Sequence, residues 1–136
     1  MTGRRSLIAL LIALLALGAA GAGCGGGSEE DKAKSAVEDY LEAVTKGDGE
    51  KACSLVTEQT KKNIEKGGRK CAETISALNK GPGRAVLQTF KDAEVENVKV
   101  NGDRGSADIK VKELTQKTNL RKEDGQWKLD STGVGA

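Results

Sequence analysis

The chain has 136 residues, 37% of them hydrophobic, 31% charged and 2% aromatic, with three cysteines and no histidine. Its formal net charge of +2 resides in Arg4 and Arg5, because the chain beyond residue 23 carries 20 basic and 20 acidic residues. A neutral remainder of this length excludes a strongly basic nucleic-acid binder. It also excludes more than one sizeable domain, since a domain takes about 100–200 residues.

Residues 1–5 are a short cationic start, and residues 7–17 form an unbroken apolar run, LIALLIALLAL. Small residues, GAAGAG, lead to Cys24. This order is that of a secretory signal peptide, assigned to residues 1–23. A spanning helix needs about 20 apolar residues, which the run reaches only by counting the glycine-rich segment 18–23. Arg4-Arg5 reads as an ordinary signal n-region rather than a twin-arginine signal. Cys24, preceded by Ala22 and Gly23 and followed by Gly25, Gly26, Gly27 and Ser28, resembles the lipobox of bacterial lipoproteins. Gly21 departs from that pattern, where an aliphatic residue is usual. The resemblance implies cleavage before Cys24 and lipidation of its thiol. It therefore implies an exported protein, lipid-anchored on the extracytoplasmic face of the cell membrane. Stable attachment takes more than one acyl chain, at about 0.8 kcal/mol per buried methylene.

With Cys24 lipidated, Cys53 and Cys71 remain in a compartment that permits disulfides. Their bond would close a loop worth about 3 kcal/mol in the chain-entropy model. Their spacing is unlike the C-x-x-C of a redox pair. Two cysteines without histidine cannot fill a tetrahedral zinc shell unless carboxylates join them, so no metal and no cofactor are expected.

Residues 24–31 read as the lipidated cysteine and a flexible tether, followed by one domain over 32–130 and a loose tail over 131–136. From Lys32, the residues Ala36, Val37, Tyr40, Leu41 and Val44 make one apolar helical stripe, ended by Gly47. A short helix is predicted over 50–55. Thr57 is expected to cap a third helix over 58–66, whose one strongly apolar residue is Ile64, and a fourth helix covers 69–79. Cys53 and Cys71 fall on inner faces of neighbouring helices, which suits their pairing if the Cα atoms lie within about 7 Å. Gly81-Pro82-Gly83 is a loop. Residues 84–90 fit either a helix or a strand.

The pattern then becomes β. Residues 93–100 change parity near Asn97, which predicts a bulge, and Asn101-Gly102-Asp103 predicts a hairpin turn. Ala107, Ile109 and Val111 alternate with Asp108, Lys110 and Lys112 in a half-buried antiparallel strand. A polar strand over 115–122 has Leu120 as its large aliphatic residue. Glu123-Asp124-Gly125 then turns the chain into a strand over 126–130 that carries Trp127 and Leu129 on one face.

Helices followed by hairpins make an α+β protein: N-terminal helices packed against an antiparallel sheet of three to four strands. The stretches YLEAVTKGD, ACSLVT, VKVNGDRGSADIKV and DGQWKL, in that order, resemble the nuclear transport factor 2-like superfamily, in particular its small lipoprotein members from Gram-positive, high-GC bacteria. The resemblance implies a cone in which a curved sheet wraps the helices and leaves a pocket at its wide end. It also implies a possible homodimer through the sheet. Some relatives of that kind are enzymes with acid–base residues in the pocket, and many others only bind ligands or partner proteins.

With no histidine, the His–Asp dyad of the enzymatic relatives cannot exist here. Asp108 alternates with core positions and should face solvent, and Asp48 sits in a turn where aspartate caps. Tyr40, Phe90 and Trp127 are the candidate pocket residues, although Tyr40 and Trp127 also fit the core, Tyr40 with its hydroxyl bonded to backbone. Lys117, Arg121 and Lys122 form a candidate basic patch for anionic headgroups or wall polymers. The expected function is a non-catalytic, membrane-anchored domain that binds a small apolar ligand or an envelope partner protein. The alternatives are an enzyme using an isolated buried carboxylate of raised pKa, and a structural envelope accessory whose pocket is filled by its own side chains.

Overall fold

The computed structural model describes residues 27–131. The signal segment 1–23, Cys24 and the tail segment 132–136 lie outside the described residues. Within them, helices α1 (Glu29–Lys46), α2 (Gly49–Ser54), α3 (Glu58–Glu65), α4 (Cys71–Leu78) and α5 (Gly83–Thr89) precede a 3-10 turn at Phe90–Asp92. Strands β1 (Glu94–Asn101), β2 (Arg104–Val111), β3 (Leu114–Glu123) and β4 (Gln126–Ser131) follow, in the antiparallel order β1-β2-β3-β4. The fold is α+β, helices first and a four-stranded antiparallel sheet after. None of the described helices is long and apolar enough to cross a membrane.

α1 starts at Glu29, three residues before the helix expected from Lys32. The cause is a capping box. The Ser28 hydroxyl accepts from the Asp31 amide, and the Asp31 carboxylate accepts from the Ser28 amide, so two otherwise orphaned donors are satisfied. Glu29, Glu30 and Asp31 then lie in the first turn, where the helix dipole favours negative charge. These acids belong to the helix, not to a tether. At the other end Gly47 sits at φ 77° and donates to the Ala43 and Val44 carbonyls, a left-handed cap that glycine adopts at low cost.

The apolar stripe of α1 meets two clusters in succession along its length. Tyr40, Ala43 and Val44 pack with Ala52, Cys53, Val56, Cys71, Ile75 and Leu87 on the helical side. Ala33, Ala36, Val37 and Leu41 pack with Val95, Ala107, Ile109, Leu120 and Trp127 on the sheet side. The helical side is fastened by the Cys53–Cys71 disulfide, with Cα atoms 6.0 Å apart. Thr57 caps α3 as expected, accepting from the Thr60 amide, and it also donates to Asp130 Oδ1 at 3.1 Å. Next to it, the Thr57 amide donates to the Leu129 carbonyl and the Leu129 amide to the Leu55 carbonyl. This short parallel pairing covers the β4 edge, which would otherwise present unpaired backbone groups.

The sheet keeps its predicted punctuation. Asn97 has φ 50°, and the β1–β2 register shifts between Glu96 and Lys99, so the bulge is where the change of parity puts it. Asp124 and Gly125 both have positive φ between paired Glu123 and Gln126, the geometry of a type I′ hairpin turn. The open choice at 84–90 resolves to helix: Leu87 is buried while Val86 points outward at 58% exposure.

Candidate functional site

α4 and α5 lean back over the second half of α1, and polar side chains hold them there. Asn79 Nδ2 donates to the Val44 and Thr45 carbonyls, both at 3.0 Å, and Gln88 Nε2 donates to the Thr45 carbonyl at 3.2 Å. The last carbonyls of a helix have no partner within it, so these bonds satisfy α1 while fixing its neighbours. Beneath them the helices leave an apolar cavity of about 250 Å³. Tyr40 and Val44 of α1 form one wall, Ile75 of α4 and Leu87 of α5 the other, and Ile64, the one strongly apolar residue of α3, adds its side chain. Leu78 lies at the rim, 49% exposed.

A second, polar cleft of about 610 Å³ adjoins it along α1 and shares Leu41 and Phe90 as lining. Its charged lining comprises Glu38, Glu42, Lys46, Arg84 and Lys91. Glu38 is engaged by Lys34 at 3.7 Å, and Glu42 by Lys46.

Of the three candidate pocket residues, the structure brings two together. Tyr40 and Phe90 line the apolar cavity. Tyr40 is buried, which pushes its phenol up to about 12. Its hydroxyl has no hydrogen-bond partner among the described residues, and because no buried side-chain oxygen among them lacks a partner, the hydroxyl keeps contact with solvent in place of the expected bond to backbone. Trp127 does not reach the cavity. It is buried in the sheet-side core, with Nε1 donating to Glu29 Oε2 at 2.8 Å and the Lys122 ammonium 5.8 Å from the ring centre. Glu29 opens α1 and Tyr40 lies eleven positions on, about 16 Å along the axis at 1.5 Å per residue. Trp127 therefore meets the start of α1, and Tyr40 lies about three turns further along the same apolar stripe.

The pocket implied between sheet and helices is likewise not the cavity observed. On that side Val37, Leu41, Ile109, Leu120 and Trp127 are buried against one another, and the open space there is a polar cleft of about 560 Å³ between α5 and the strands β1 and β2, lined by Gln88, Asp92, Glu94 and Lys110 among others. Val44, Ile75, Leu78 and Leu87 line the cavity without having been singled out as site residues in the sequence. Their apolar helical spacing was the available signal, but spacing alone does not distinguish a packed face from a lining one.

The acid–base candidates keep structural roles. The Asp48 carboxylate accepts from the Lys51 amide at 3.0 Å and caps α2. Asp108 accepts from Asn97 Nδ2 at 3.0 Å and so holds the bulge. The buried polar residues among those described are Thr45, Thr57, Thr60 and Thr118, and no carboxylate is among them. The basic patch is dispersed: Arg121 pairs with Asp130 at 3.0 Å and Lys122 with Glu29 at 2.9 Å. The described residues contain no group of three histidine, cysteine or carboxylate side chains able to hold a metal ion.

No protein-family model and no curated protein matches this chain. Among solved structures it is similar to an NTF-2 like protein of unknown function from Shewanella oneidensis MR-1. That match has 14% identity and a TM-score of 0.39, and covers 73% of this chain and 92% of the other. An NTF-2 like protein of unknown function from Burkholderia xenovorans LB400 gives 13% identity and a TM-score of 0.39, covering 81% and 91%. A de novo designed protein with a curved β-sheet gives 13% and 0.38, covering 79% and 89%. At these identities and TM-scores the likenesses bring neither activity nor ligand to this chain.

Proposed function

We propose that this is an exported protein held at a cell membrane by lipid on Cys24, and that its domain binds a small apolar ligand without catalysing a reaction. The observation that carries the binding is the cavity between α1, α3, α4 and α5. It is walled by aliphatic and aromatic side chains. At about 250 Å³ it falls below the ~300–1,000 Å³ of pockets for drug-sized molecules, so a slender occupant such as a single hydrocarbon chain suits it. The non-catalytic reading is supported by the lack of histidine. A Tyr40 phenol at about 12 also stands far from the neutral range where acid–base catalysts work best.

Native mass spectrometry of the full chain extracted from membranes tests the reading. The protein is expected to carry a non-covalent apolar adduct. Leu78→Trp, which enlarges a rim residue already half in solvent, should remove most of that adduct while leaving the circular dichroism unchanged. An adduct of equal amount in the folded Leu78→Trp protein, or none in either protein, would contradict the reading.

A further inference from the structure

The apolar cavity and the polar cleft are continuous in their lining, and their chemistry differs in a directed way. Leu41 and Phe90 belong to both. On one side of them the walls are aliphatic. On the other, the carboxylates of Glu38 and Glu42 are already engaged by Lys34 and Lys46, whereas Arg84 and Lys91 have no ion pair among the described residues. The uncommitted charge in the cleft is therefore positive. It comes from a guanidinium, which suits bidentate oxyanions, and an ammonium.

We infer that the site takes a single-chain amphiphile with an anionic head, its hydrocarbon in the cavity and its carboxylate or phosphate in the cleft against Arg84 and Lys91. This rests on the apolar-ligand reading above and adds the head group to it. Burial of the chain supplies the affinity, at about fourfold per methylene. The two exposed cations add selectivity of about three- to tenfold, as surface ion pairs do.

Photo-crosslinking on membranes that contain the full chain tests it with dodecanoate, dodecyl phosphate and dodecanol, each bearing a diazirine near the methyl end. Either anionic probe should label peptides carrying Ile64, Ile75 or Leu87, and should label them about three- to tenfold less in an Arg84→Gln, Lys91→Gln variant. Whichever anionic head labels more strongly names the oxyanion. Dodecanol should label wild type and variant alike, which shows that the exposed substitutions leave the cavity intact. If all three probes label equally and the variant changes nothing, the head-group assignment falls while the apolar site stands. If none labels those peptides, both fall.

Discussion

Glu29 receives three donors. Its Oε2 accepts from Lys122 Nζ at 2.9 Å and Trp127 Nε1 at 2.8 Å, and its Oε1 accepts from Lys32 Nζ at 2.9 Å. Lys122, Lys32 and Trp127, in that order of effect, hold its carboxyl at about 2 against an ordinary 4.5. A lowered folded-state value means that the stabilisation is complete above the ordinary value and is lost as pH falls toward the folded one. The thermal midpoint of the wild type is therefore expected to fall between about pH 4.5 and pH 2. Glu29→Gln should be less stable at neutral pH and flatter across that acid window. Glu42, also lowered by Lys46, leaves both proteins some acid sensitivity. The fluorescence of Trp127, the sole tryptophan, reports the unfolding, and parallel curves for the two proteins would remove Glu29 from this role. Gly49 is a second decisive residue. A Cβ there would lie 2.9 Å from the Ala72 carbonyl carbon and 2.7 Å from Ser76 Oγ. Alanine is favoured in helices by about 1 kcal/mol, but overpacking costs about 1–3 kcal/mol, and here the obstacle includes backbone. Gly49→Ala is expected to lower stability by about 1–2 kcal/mol in urea unfolding, whereas a neutral or stabilising result would mean α2 and α4 are not this close.

At the scale of elements, the disulfide joins α2 to α4 across 18 positions of sequence and encloses all of α3. Reduction is expected to cost about 3 kcal/mol and to raise amide exchange in α3 ahead of the sheet. An unchanged urea midpoint after reduction would show that packing alone fixes the two helices. Much of this layout was legible in the chain. The α1 stripe, the Thr57 cap, the Asn97 bulge and the Asp124-Gly125 turn each rest on local spacing or on a residue suited to one backbone geometry. Other features were not legible for equally physical reasons. Ser28-Glu29-Glu30-Asp31 has the composition of a solvated coil and becomes helix through one reciprocal pair of hydrogen bonds. Val86, Leu87 and Phe90 satisfy helix and strand patterns alike, and packing of Leu87 against the helical core decides between them. Tyr40 and Trp127 were grouped because both are aromatic on apolar faces. The sequence does not reveal that the one stripe of α1 meets the sheet-side cluster along Ala33, Ala36, Val37 and Leu41 and the helical cluster along Tyr40, Ala43 and Val44.

For the whole molecule, the apolar stripe of α1 joins a sheet-side core on its first half to a helical layer on its second half, and that layer retains a cavity. That cavity arises from the lean of four helices and from the Asn79 and Gln88 contacts to α1 carbonyls. Its position is a tertiary property that no single stretch of sequence encodes. The outer face of the sheet presents Lys110, Lys117 and Arg121, so copies pairing through it would meet charge rather than apolar surface. The proposed amphiphile is most abundant at a membrane, and the proposed anchor would hold the cavity there. Intact-mass spectrometry of the membrane-fraction protein, before and after reduction, addresses that anchor and the disulfide together. The expected species begins at Cys24, carries acyl mass and gains two hydrogens on reduction. A soluble species cut elsewhere, or an uncleaved leader with free thiols at Cys53 and Cys71, would contradict the account.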